Sequence, residues 1–95
     1  MRRMYIRVGH GKGDPNKVDE AVAIVREGLA ALKELPGFQN VYFGVNRGSG
    51  RGVTISLWDT EEHASFAFPP EIGARLEALG VQGEPPVIFE VTDQI

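Results

Sequence analysis

The chain predicts an α+β domain of element order β-α-β-β-α-β, and three observations carry that prediction. The stretch Phe38–Asp59 alternates apolar and mixed residues on either side of a glycine-rich link, the pattern of a β-hairpin. A helical repeat precedes it, with Val18, Val22, Val25, Leu29 and Leu32 spaced four, three, four and three. Single alternating runs open and close the chain, at Met4–Val8 and Val87–Thr92.

The first strand runs from about Arg3 to Gly9, with Met4, Ile6 and Val8 on one face and Tyr5, Arg7 and Gly9 on the other. Asp14-Pro15 then starts a helix, Asp14 as N-cap and Pro15 at the first helical position. This helix extends to Leu35, where Pro36-Gly37 stops it. Gly28 in its interior costs about 1 kcal/mol against alanine, so close packing on the sheet is expected there. In the hairpin, Val41, Phe43 and Val45 share one face, with Tyr42, Gly44 and Asn46 opposite. Val53, Ile55 and Leu57 share a face of the next strand, with Thr54, Ser56 and Trp58 opposite. Arg47–Gly52 supplies three glycines for the turn.

Asp59-Thr60-Glu61-Glu62 opens a second helix, Asp59 as N-cap and Glu62 completing a capping-box-like arrangement. Pro69-Pro70 ends it at Phe68. A further turn or two follows with Ile72, Leu76 and Leu79 buried and Gly80 as the C-terminal stop. Gln82–Pro86 is a connector. The last strand places Val87, Phe89 and Val91 on one face, and Ile88, Glu90 and Thr92 on the other.

This order is the ferredoxin-like arrangement, an antiparallel sheet of strand order 4-1-3-2 with both helices on one side. One sheet face is left uncovered. The expected open face carries Tyr5, Arg7, Tyr42, Asn46, Thr54, Ser56, Trp58, Ile88, Glu90 and Thr92. Four of these are large and apolar or aromatic, so a symmetric copy is expected to cover them.

A chain of 95 residues makes one domain with a thin core. A net charge of −3 argues against nucleic acid as a partner. Arg2 with Arg3, and Arg47 with Arg51, read as solvated charges. The absence of cysteine removes disulfides, thiolate catalysis and thiolate metal sites. No apolar run has the length of a signal peptide or membrane span, so a cytoplasmic protein without membrane attachment is expected.

The Leu35-Pro36-Gly37-Phe38 stop, the glycine-rich hairpin and the junction Leu57-Trp58-Asp59-Thr60-Glu61-Glu62-His63 together resemble the antibiotic-biosynthesis-monooxygenase-like family. The resemblance covers nearly the whole chain and weakens after Phe68. It implies a homodimeric α+β barrel with ligand pockets between sheet and helices or inside the barrel. The family includes cofactor-free monooxygenases of polycyclic phenolic substrates, haem-degrading enzymes and members without known activity.

Three functions follow. A cofactor-independent monooxygenase needs an aromatic slot, a donor for the substrate oxygen and a cation near developing negative charge. Trp58 supplies the slot wall, Arg7 the cation and Asn46 or Tyr42 the donor, with Tyr5, Ser56, Phe66 and Glu90 as further ligand contacts. Each has a structural alternative: interface packing for Trp58, a cross-strand pair with Glu90 for Arg7, the turn for Asn46. The second function, haem binding or degradation, fits less well. The haem-degrading branch uses a second-helix His with a helix Trp and a first-strand Asn. Here His63 falls in the first turn, no Trp follows it, and Arg7 stands in the strand. The third is a non-catalytic dimer holding a small apolar molecule. His10 and His63 make no metal site by spacing, so neither a metal nor a cofactor is expected.

Overall fold

The computed structural model describes residues 3–95; Arg2 of the N-terminal arginine pair lies outside them. The chain forms β1 (Tyr5–Lys12), α1 (Val18–Leu32) and the hairpin β2 (Phe38–Asn46) and β3 (Arg51–Trp58). Two helices, α2 (Glu61–Ala64) and α3 (Pro70–Ala78), and two strands, β4 (Gln82–Gly83) and β5 (Val87–Glu90), follow. The strands make one antiparallel sheet of order β2-β3-β1-β5, the ferredoxin-like arrangement. The edge of β1 is shared: β5 pairs with Tyr5–Val8, and the short β4 pairs with Gly11 and Lys12. β4 falls in the stretch expected to be a connector.

Local signals set most boundaries. Asp14 accepts from the Asn16 N–H at 2.8 Å, but Pro15–Lys17 is a 3-10 turn and the α-helix begins at Val18. It ends at Leu32, one turn before Leu35. Gly37, at φ +79°, carries the reversal into β2. The N-cap of α2 is Thr60 rather than Asp59: its hydroxyl accepts from the His63 N–H at 3.0 Å. The helix covers a single turn, and residues 65–69 run as irregular chain before α3 starts at Pro70. Gly80, at φ +84°, terminates α3.

Which sheet face the helices cover is the main departure from expectation. Arg7 reaches the carbonyls of Ala64 and Phe66, at and beyond the end of α2, and Trp58 is fully buried against Phe38 and Phe66. The mixed face of β1 and β3 therefore lies under the helices, and the apolar face is open. Cross-strand register fixes its members: Ile6 opposite Leu57 and Phe89, Val8 opposite Ile55 and Val87, and Tyr42 opposite Ile55. Tyr42, Ile55, Val87 and Phe89 are 63, 36, 49 and 51 % exposed. A register shift between Phe38 and Asn40 puts Phe38, Val41 and Phe43 on the inner face, and Tyr42 outside.

The physical reason for the inversion is that the mixed face can be covered while every fully buried side-chain nitrogen and oxygen among the described residues keeps a hydrogen-bond partner. The Trp58 indole N–H donates to Ser56 Oγ at 2.9 Å, and Arg7 donates to two main-chain carbonyls. The helix side is filled by Val18, Ile24, Leu32, Ala64 and Ile72. Gly28 packs on Phe68 and Ile72, not on the sheet: an added Cβ would stand 3.0 Å from the Phe68 ring.

Candidate ligand cavity

Glycines on the covered face leave room beneath the helices. Gly9 and Gly11 of β1 and Gly52 of β3 carry no side chain and border the same space as residues of α1 and α3. A cavity of about 250 Å³ results. Its walls include Phe43 from β2, Phe66 and Phe68 from the segment after α2, and Val25, Ile72 and Leu76 from the helices. A cavity of about 150 Å³ suffices for one benzene ring, so this one admits a fused pair of rings.

Arg7, Ser56 and Thr54 bring polarity to this wall. Arg7 is half-buried, and its Nη1 donates to the carbonyls of Ala64 (3.0 Å) and Phe66. Its guanidinium carbon lies 3.8 Å from the Phe66 ring centroid, a cation–π contact. Burial lowers the Arg7 pKa from its ordinary value, yet a guanidinium stays charged. Ser56 is the strand partner of Arg7, so both side chains leave the same face side by side.

The site residues expected from the sequence divide into groups. Arg7, Ser56 and Phe66 come together on the cavity wall. Trp58 stands behind it, stacked on Phe66 at 4.8 Å between centroids and bonded to Ser56, rather than lining it. Asn46 closes β2 and serves the turn: its Oδ1 accepts from the Ser49 N–H at 3.0 Å and its carbonyl from the Gly50 N–H at 2.8 Å. Tyr42 is on the open face. Tyr5 and Glu90 are strand partners, with the Tyr5 hydroxyl 3.5 Å from Glu90 Oε2, so Glu90 faces Tyr5 and not Arg7. The expected Arg7–Glu90 pair does not form, because Ile88 is the residue opposite Arg7.

Sequence reasoning missed Phe43, Phe68 and Thr54 as wall residues. An inner-face register with Arg7 and Ser56 identifies Thr54 and Phe43, but only once the covered face is known. His63 lies apart from the cavity, its Nδ1 2.7 Å from Asp59 Oδ1. That contact holds the Asp59 carboxyl below its ordinary pKa. Among the described residues no group of three potential metal ligands occurs, and no helix is long and apolar enough to cross a membrane.

No family model and no curated protein matches the sequence. Solved structures do match in fold. One is a protein of Deinococcus radiodurans assigned as an antibiotic biosynthesis monooxygenase, at TM-score 0.78 and 16 % identity over 96 % of this chain and 95 % of that one. A second is SnoaB of Streptomyces nogalater, a cofactor-independent oxygenase, at TM-score 0.64 and 19 % identity over 98 % and 95 % of the two chains. A conserved protein of Methanosarcina mazei aligns at TM-score 0.72 and 16 % identity over 93 % and 92 %. The chain has the fold of the antibiotic-biosynthesis-monooxygenase structures, as its motifs imply.

Proposed function

We propose that this protein binds a small aromatic or hydrophobic molecule in the cavity between sheet and helices, and does so as a homodimer. The observation that carries the reading is the cavity itself: about 250 Å³ walled by three phenylalanines, with Arg7 its one half-buried charge. Isothermal titration with 2-naphthol tests it. Saturable one-site binding that is lost in Phe66→Asp supports it; no heat above dilution across naphthols and naphthalenediols rejects it.

Oxygenation is the second reading, favoured by the placement of Arg7. A hydroxyaromatic, once ionised, can give four electrons to O2. A ring carbon exchanges its hydrogen for one oxygen atom and becomes a quinone carbonyl, and the other oxygen leaves as water with the two hydrogens lost from that carbon and from the hydroxyl. A fixed cation beside the substrate oxygen stabilises the anion from which that transfer starts. In this reading Arg7 contacts the substrate oxygen, and Trp58 positions Ser56 and Phe66. Asn46, anchored in its turn, keeps only an indirect role. Oxygen uptake by the cofactor-free protein with dihydroxyaromatics, abolished by Arg7→Ala, supports catalysis. Binding without uptake leaves a ligand-binding dimer. The haem reading has no such support, since His63 is engaged by Asp59 away from the cavity.

The homodimer rests on the open face. Ile6, Val8, Ile55, Leu57, Val87 and Phe89 form a contiguous apolar slab across three strands. A second copy laid on it covers this apolar surface by the same patch on both molecules.

A further inference from the structure

We infer that the cavity is built for a molecule that is apolar except for one carboxylate, seated between Arg7 and Ser56. This deepens the ligand-binding reading and rests on it.

Arg7 has no carboxylate partner among the described residues. Its two hydrogen bonds both leave from Nη1, toward Ala64 and Phe66, and they fix the guanidinium plane without neutralising it. Nη2 and Nε, with three N–H groups between them, donate to nothing among the described residues. Ser56 is buried and its Oγ accepts from Trp58, so its own O–H is left to donate. Arg7 and Ser56 are opposed across β1 and β3 on the inner face, where Cβ atoms of partners stand about 5 Å apart. Both side chains line the same cavity, so each can present a donor to one carboxylate held there.

The rest of the wall makes the preference sharp. Asp14, Lys17, Glu84 and His10 also border the cavity, but all four are exposed residues whose charges water screens. Arg7 is held half-buried against the Phe66 ring, where a unit charge acts through a lower dielectric. No fully buried nitrogen of Arg7 is without a partner, so water reaches the three N–H groups; a neutral ligand that displaces this water gives the cation no counter-charge, whereas a carboxylate supplies one and accepts from them.

Calorimetric titration of the wild-type protein with 2-naphthoate and its neutral isostere 2-naphthamide tests this. A preference for naphthoate of about tenfold or more is expected, the size of a charge-assisted hydrogen bond. Arg7→Met, which keeps the apolar bulk, should erase the preference while naphthamide binding persists. Arg7→Lys should retain part of it, and Lys17→Met all of it. Equal affinity for the two ligands in wild type overturns the anion seat but leaves the cavity as a hydrophobic binding site. So does a preference that survives Arg7→Met or disappears with Lys17→Met. Failure of both ligands to bind overturns the anion seat together with the ligand-binding reading. The wild-type comparison decides even if Arg7→Met does not fold.

Discussion

The indole N–H of Trp58 donates to the hydroxyl of Ser56, two residues back on the same face of β3, at 2.9 Å. Both side chains are buried. The pair lets an aromatic with a polar atom and a serine sit under the helices, which places the mixed face inward and the cavity with it.

Ser56→Ala strips the acceptor from a buried donor. A loss of about 1–3 kcal/mol is expected, read as a fall in Tm of several degrees, since each kcal/mol moves a domain of this size by about 4–8 °C. Trp58→Phe on that background should cost less than Trp58→Phe alone costs the wild type, because the orphaned N–H is gone. Additive losses in urea unfolding would mean that the bond does not matter.

Gly37→Ala tests the junction between the helix stop and the second helix. The residue has φ +79°, and an added Cβ would come within 2.0 Å of Asp59 Oδ1 and 2.4 Å of His63 Nδ1. Destabilisation of more than ~1 kcal/mol is expected. Asp59→Ala with His63→Ala on that background should not restore the wild-type Tm, because the backbone strain at positive φ remains after both clashing side chains are removed.

The elements legible in the sequence are those with local causes. Asp14, Gly37 and Gly80 mark turns set by a cap or a positive φ, and the strand alternation is visible without any partner; the prolines mark breaks less closely, since α1 ends at Leu32, α2 ends at Ala64 and Pro70 opens α3. What could not be read is which alternating set faces inward. Period two shows that Arg7 and Gly9 share a face, but both faces of this sheet are rich in apolar groups, and the choice rests on Arg7 meeting the Ala64 and Phe66 carbonyls, 57 and 59 residues away. The bulge between Phe38 and Asn40, which brings Phe38 to the inner face with Val41 and Phe43, and the pairing of Gln82–Gly83 with β1 are tertiary features too. The cavity follows from the same contacts, so Arg7, Ser56 and Phe66 were recognisable as candidates and Thr54 shares the face of Ser56 by alternation, while Phe43 and Phe68 were not recognisable.

Self-association should depend on the open face. Ile55→Lys and Val87→Lys place charges on exposed positions of the slab without touching the helix side, so the monomer fold should persist by circular dichroism. Sedimentation equilibrium at micromolar concentration should show a dimer for wild type and a monomer for the double variant. A wild-type monomer would refute the dimer.

Acid stability should carry the signature of Asp59. Its carboxyl is hydrogen-bonded to His63, which holds its folded-state pKa below the ordinary value. A depressed pKa gives stability that is fully present above the unfolded carboxylate value of about 3.9 and lost as pH falls through the lower folded value. The difference in stability between wild type and Asp59→Asn should therefore be constant above about pH 5 through pH 6 and shrink below about pH 4. Urea midpoints measured from pH 6 to pH 2 check it; a difference unchanged down to pH 2 would show that Asp59 gains nothing from His63.

The most direct test of the cavity as the binding site is a methyl-resolved NMR titration with 2-naphthol. Shifts at Val25, Ile72 and Leu76, together with Ser56 and Arg7 backbone amides, are predicted. Shifts confined to Ile6, Val8, Ile55 and Val87 on the open face, or no shifts at all, would contradict it.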